Sequence, residues 1–247
     1  MRSQKLEYSS DVALTGTLYL PEDDAPHSGV LVFPDIFGLG DHAHERAARL
    51  ADAGFAALAA DLHGMESRLD PQAAMAELEF FYAQPDIPCG RGRSALAALS
   101  DRADIDAGRI AAVGFCYGGT LALELARSGS PLAGVVGFHS VLTSTLPDVV
   151  PQIRGKILAC IGSEDPAVPA AQRTAFENEM RAAGVDWQLH IHGGVYHTFT
   201  DRDADKLGHP EIARYSPPAD VRSWHAMITF LREVLSAGNE AGFSNSA

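Results

Sequence analysis

Residues 110–126 read IAAVGFCYGGTLALELA. An apolar, β-branched run leads into Gly114-Phe115-Cys116-Tyr117-Gly118 and then into alanines and leucines. The pattern predicts a buried strand, a sharp turn and a helix, with a thiol at the apex of the turn. Glycines two positions to either side of Cys116 let neighbouring turns close in and tolerate a strained backbone at the apex. A helix opening at Tyr117 aims its free N–H groups at the sulfur, which favours an anion there. A cysteine serving only as small apolar filler fits the same local pattern. A nucleophile therefore requires a base and an orienting acid from elsewhere in the chain.

The flanking segments predict further strands and helices in alternation. Residues 5–20 show a hairpin-like alternation of Val12, Leu14, Thr17 and Tyr19 around Gly16. Short apolar runs at 29–33, 55–60, 110–115, 133–138, 156–161 and 187–191 read as strands. Helical patterns fall at 41–53, 71–83, 91–103, 117–127 and 169–183. A last helix carries Val221, Trp224, Ile228, Leu231 and Leu235 as one apolar stripe. Near-continuous apolar strands alternating with helices predict an α/β fold: a mostly parallel central sheet with helices on both faces. No linker or internal repeat divides the chain, so one domain over residues 1–237 is expected, with 238–247 as a frayed tail.

Composition narrows the partners. The chain has 247 residues and a formal net charge of −13, which argues against nucleic acid or an anionic membrane as a partner. Three cysteines, Cys89, Cys116 and Cys160, show no disulfide framework spacing, which predicts a reducing compartment. The first residues lack an apolar core of signal-peptide type, and no run approaches membrane-spanning length. A cytoplasmic protein is expected.

In an open parallel sheet the ligand crevice lies beyond the carboxyl ends of the strands. The polar residues placed there are Asp35, Asp61, His63, Cys116, His139, Asp165 and His197. Cys116, Asp165 and His197 stand in the order nucleophile, acid, histidine, which is the order of α/β-hydrolases, with the turn at Cys116 as the nucleophile elbow. His197 would act as general base and acid, and Asp165 would hold its tautomer. The N–H of Tyr117, first after the elbow, is a candidate oxyanion donor.

Asp35-Ile36-Phe37-Gly38, Gly114 to Gly119, Gly162 to Pro169 and Tyr196 to Phe199 together resemble the dienelactone hydrolase family, over about 29–235. The resemblance implies a single-domain α/β-hydrolase that cleaves a small ester or lactone without a cofactor, through a thioester on Cys116. It also implies Ile36 N–H as the second oxyanion donor. Asp35 takes the place of a family acid, usually Glu, that holds the resting thiol. Members that cleave carboxylated dienelactones bind the substrate carboxylate with two arginines. The matching positions here are Glu77, by a looser match, and Asp201, while Arg68 and Arg202 lie nearby out of register. Acids in place of cations disfavour an anionic substrate, so a neutral ester or lactone is expected.

Phe37, Tyr117 and His63 are candidate pocket walls, each equally suited to packing. His139 reads as structural, Cys160 as inert core and Cys89 as a residue of a Pro/Gly loop. The pairs His42/His44 and His190/His192 lack further ligands at zinc-like spacing, so no metal is expected. Oligomeric state is left open. Two other readings compete. One is a glutamine-amidotransferase-like cysteine enzyme, which would carry an acid just after the histidine, where this chain has Thr198 and Phe199. The other is a hydrolase-fold binding protein without turnover.

Overall fold

The computed structural model describes residues 1–23, 25–64, 68–146 and 152–236. The expected tail at 238–247 lies outside the described residues. The chain forms β1 (Arg2–Ser9), β2 (Ala13–Leu20), β3 (His27–Phe33), α1 (Asp41–Asp52), β4 (Ala56–Ala59), α2 (Pro71–Ala83) and α3 (Asp86–Ser100). It continues through β5 (Ile105–Phe115), α4 (Tyr117–Arg127), β6 (Gly134–Phe138), β7 (Lys156–Gly162), α5 (Ala170–Ala182) and β8 (Trp187–His192). A short 3-10 turn at Ala204–Leu207 precedes α6 (Pro217–Val234).

The eight strands form one sheet in the order β1-β2-β4-β3-β5-β6-β7-β8. The pairs β1/β2 and β2/β4 are antiparallel, and every other pair is parallel. Side chains alternate between the two faces, as the pleat requires. Val30, Val32, Val113, Val136 and Leu158 meet Leu50 of α1 and Met227, Phe230 and Leu231 of α6. Leu31, Ala112, Val135 and Ile157 face the other way, with residues of α3, α4 and α5. From β3 the chain passes to β4 on one side, then crosses back to β5 on the other. This reversal is the topological switch point, where the carboxyl ends of β3 and β5 open a crevice.

The expected hairpin forms, with its turn at Ser10–Val12, where Ser10 N–H donates to Val12 O. Gly16 lies within β2, where a Cβ would press on Leu58 and Ala59 of β4, so it serves close approach. Three other local expectations need correction. Helix α3 begins at Asp86, five residues before the expected start, and carries Cys89 inside it, 1% exposed. Pro88 is tolerated in the first turn, where its missing N–H breaks no helical bond. Gly92 allows Leu125 of α4 to come close. Strand β5 starts at Ile105, because its first residues pair with His27 and Ser28 across a bulge. Finally, α6 buries Ala219, Ser223, Met227, Phe230, Leu231 and Val234, whereas Val221 is 55% exposed.

Candidate active site

Cys116 terminates β5 with φ 52° and ψ −120°. It is one of three non-glycine residues with positive φ among the described residues; the others are His139 and Thr198. Such backbone is strained for a side-chain-bearing residue and persists only where its surroundings hold it. The surroundings here are tight. A Cβ on Gly114 would collide with the Gly118 backbone, and one on Gly118 with the carbonyls of Phe33 and Pro34. A Cβ on Gly119 would strike the Ser140 hydroxyl. The glycines at this turn are therefore required by close approach to backbone, as the G-x-C-x-G spacing predicts.

His197 follows β8 and lies 2.7 Å, through Nδ1, from Asp165 Oδ2. Asp165 leaves the other ring nitrogen open, and the Cys116 sulfur acts electrostatically on the ring. Burial opposes a charge on this ring, yet the Cys116 sulfur and Asp165 outweigh it and raise the His197 pKa to about 10. Asp165, just beyond β7, is buried, and its Oδ1 accepts the Ala167 N–H at 2.9 Å. Three strand ends thus deliver thiol, imidazole and carboxylate into one row, in which the imidazole and carboxylate are hydrogen-bonded.

Tyr117 opens α4 directly after Cys116, and Ile36 belongs to the loop after β3, whose Pro34 carbonyl abuts Gly118. Among the described residues neither N–H donates a hydrogen bond within the chain. Asp35, in the same loop, accepts the Phe37 N–H at 2.9 Å and Arg68 Nη2 at 3.0 and 3.1 Å. Burial raises the Asp35 pKa; Arg68 counters this, and Asp201 adds to it. Arg68 also lies over the Phe37 ring, 5.2 Å from its centroid. The Asp35 carboxylate is thus engaged by Arg68.

The His63 side chain is buried and stacks on Phe81 at 5.5 Å, with Glu77 Oε1 3.5 Å from Nδ1. Glu77 lies also 3.7 Å from Arg91, so an acid–histidine–arginine group occupies the place where a substrate-binding cation was sought. Arg202 pairs with Glu45 at 3.5 Å on the exposed surface. Asp61 organises its own loop, accepting N–H groups from Thr15, His63 and Gly64. The pair His42/His44 splits: His44 Nδ1 meets Tyr19 Oη at 3.1 Å, and His42 turns inward to Thr200 at 3.2 Å. A cavity of about 280 Å³ beside β2, lined by Lys5, Thr15, His44 and Asp61, lacks any of the row's three groups.

Two residues near the sulfur were not singled out from the sequence. Tyr82 of α2 stands edge-on to Tyr117, at 6.0 Å between centroids. Burial raises its pKa, and the Cys116 sulfur raises it further, which places Tyr82 within electrostatic reach of the thiol. Thr200 links two histidines behind the elbow. No motif marks either position; only the fold brings them in.

The sequence pattern of the dienelactone hydrolase family matches residues 14–235. The chain belongs to the dienelactone hydrolase family. It is a hydrolase of the α/β-hydrolase fold, and the resemblance drawn from the motifs at 35–38, 114–119, 162–169 and 196–199 holds over nearly the whole chain. A probable 2-oxo-3-(5-oxofuran-2-ylidene)propanoate lactonase of Bradyrhizobium sp. is 28% identical over 243 residues, covering 92% of this chain and 89% of that protein. The carboxymethylenebutenolidase of Pseudomonas putida is 27% identical over 181 residues, with 71% and 76% covered. A crystal structure of a dienelactone hydrolase-like promiscuous phosphotriesterase from metagenomic libraries superposes with a TM-score of 0.91 at 38% identity, covering 95% of this chain and 99% of the other. Among the described residues, no helix is long and apolar enough to cross a membrane.

Proposed function

We propose that the protein hydrolyses a small ester or lactone through Cys116, His197 and Asp165. The observation that carries this reading is the single imidazole of His197, 2.7 Å from Asp165 and close enough to the Cys116 sulfur for its charge to act on the ring. The sulfur attacks the acyl carbon, and the carbonyl electrons move to oxygen, which the N–H groups of Ile36 and Tyr117 receive. The tetrahedral adduct collapses to a thioester as the alkoxide leaves with the proton held on His197. Water then gives a proton to His197, attacks the thioester and releases the acid, restoring the thiol. Asp165 holds the tautomer and stabilises the imidazolium throughout. The arrangement around His197 supports this over an amidotransferase, because its acid comes from the loop after β7.

The reading extends to substrate charge. Asp35, Asp201 and Glu77 gather near the site, and Asp35 occupies the guanidinium of Arg68. The surroundings favour a neutral ester or lactone over one bearing a free carboxylate. Asp35 is accordingly assigned to the Arg68 pair at the mouth of the site, in place of holding the resting thiol.

Hydrolysis of a small activated aryl ester by wild type and Cys116→Ala tests the covalent route. Cys116→Ala is expected to lose roughly a thousand-fold or more in kcat/KM; equal rates would remove the thiol from the mechanism. Comparing a carboxylated lactone with its methyl ester tests the charge preference, with the methyl ester expected to give the higher kcat/KM. The similarity to a phosphotriesterase favours adding one activated phosphotriester to that panel.

A further inference from the structure

Behind the elbow lies a chain of buried polar groups that the proposed reaction does not use. The Cys116 N–H is shared between Phe138 O at 3.0 Å and His139 Nδ1 at 3.2 Å. His139 Nε2 lies 2.8 Å from Thr200 Oγ1, and Thr200 Oγ1 lies 3.2 Å from His42 Nε2. Arg46 Nε donates to the same His42 nitrogen at 3.3 Å, and Arg46 Nη1 pairs with Asp220 of α6 at 2.9 Å. Arg46, Thr200, His139 and Asp220 are all buried.

The protons in this chain are fixed by elimination. An amide N–H can only donate, so His139 Nδ1 must be bare and its proton must sit on Nε2. That proton goes to Thr200 Oγ1. The Thr200 O–H is then left to donate to His42 Nε2, which is bare because Arg46 also donates to it. A proton placed on His139 Nδ1 would face the Cys116 N–H, and one on His42 Nε2 would face two donors. The network is complete only with both rings neutral and each in one tautomer.

Its placement ties together the strained residues of the site. His139 has φ 40°, Cys116 has φ 52°, and Thr198 has φ 57°. Thr200 lies three residues beyond His197, and the His139 ring meets the His197 ring edge-on, 5.2 Å between centroids. One threonine hydroxyl thus joins the backbone of Cys116, through His139, to the loop that carries His197.

We propose that His139 is a positioning residue for Cys116, held by Thr200 and His42 in the tautomer that accepts the Cys116 N–H. This rests on the reading of Cys116 and His197 as nucleophile and base. The groups facing His139 are Cys116 and Phe115 at the end of β5, His197 and Phe199 after β8, and His42 and Arg46 of α1. Burial, with His197, His42 and Arg46 adding to it, drives the His139 pKa well below the ordinary imidazole value. A neutral ring beside His197 leaves that imidazole as the one able to carry the proton.

The test has two arms. Nitrogen NMR of wild type labelled in its histidine rings is expected to show His139 with a bare Nδ1 from pH 5 to 8. A protonated Nδ1 in that range overturns the proposal, and this arm needs no variant. In the second arm, Thr200→Val removes both hydroxyl bonds at nearly constant volume. Its kcat on an aryl ester is expected to fall roughly 10- to 100-fold with KM within about two-fold, because misplacement of a nucleophile acts on the chemical step. The rate of Cys116 alkylation by iodoacetamide should fall in parallel, and Thr200→Ser should restore both. A folded Thr200→Val protein with wild-type kcat and alkylation rate refutes the positioning role alone. Full hydrolysis by Cys116→Ala would instead refute the catalytic reading, and the alkylation and NMR results would still report on the network.

Discussion

The imidazole at this site answers to the charges on either side of it. The His197 pKa is raised because the Cys116 sulfur and Asp165 outweigh the penalty of burying the charged ring. Replacing Cys116 with Ser removes an ionisable partner while keeping a hydrogen-bonding group. The His197 titration, followed by NMR, is expected to move down toward the ordinary imidazole value in Cys116→Ser; an unchanged titration would show that Asp165 alone raises it. Cys116, Asp165 and His197 were legible in the sequence because each follows an apolar run, and their order matched a nucleophile, acid and base. His139 was read as structural, since one histidine at a strand end says nothing about what its two nitrogens touch. Thr200 and Arg46 carry no signal at all: their partners are brought in from distant segments, Arg46 and the carbonyl of Thr200 being 154 positions apart.

Helices and strands show where periodicity misleads. In α6 the expected stripe Val221, Trp224, Ile228, Leu231 and Leu235 is buried at Leu231 and Leu235 and half-buried at Trp224 and Ile228, but Val221 is exposed and the buried face shifts to Ala219, Ser223, Met227 and Val234. That face is set by the valines and phenylalanines of β5 and β6 beneath it and by Asp220, which turns inward to reach Arg46. Met227→Ala is therefore expected to cost about 2–5 kcal/mol, and Val221→Ala no more than about 0.5 kcal/mol. Urea unfolding of the two variants checks the ranking. The start of α3 was missed for a related reason. Pro88, Gly90 and Gly92 resemble a loop in sequence, yet Gly92 is small because Leu125 packs against it. Strand runs were the most legible elements, since a strand buried on both faces needs apolar residues throughout.

For the molecule as a whole, buried neutral histidines set the acid limit. The His42 pKa is lowered to about 3, by burial first and by Arg46 next. His139 is lowered too. Unfolded, each ring takes up a proton near pH 6.5, so between there and its folded pKa the unfolded chain binds more protons. Stability then falls as pH falls, by about 1.4 kcal/mol per pH unit for each such ring. Urea midpoints measured between pH 7 and pH 5 are expected to drop accordingly, and less steeply in His42→Gln. The parallel sheet and its two helical layers were legible from alternating strands and helices. The placement of β4 beyond β3 was not, because strand order depends on which edges the crossovers reach.

The spread of the site along the chain has a consequence in time. During synthesis at about 5–20 residues per second, His197 is made about 80 residues after Cys116, several seconds later. Asp220, which anchors Arg46 and so the back of the elbow, comes later still. A growing chain carries its thiol before it has the imidazole that would arm it. On the proposed mechanism, acylating power arrives only with the last strand and helix, so a chain cut short before them is chemically quiet.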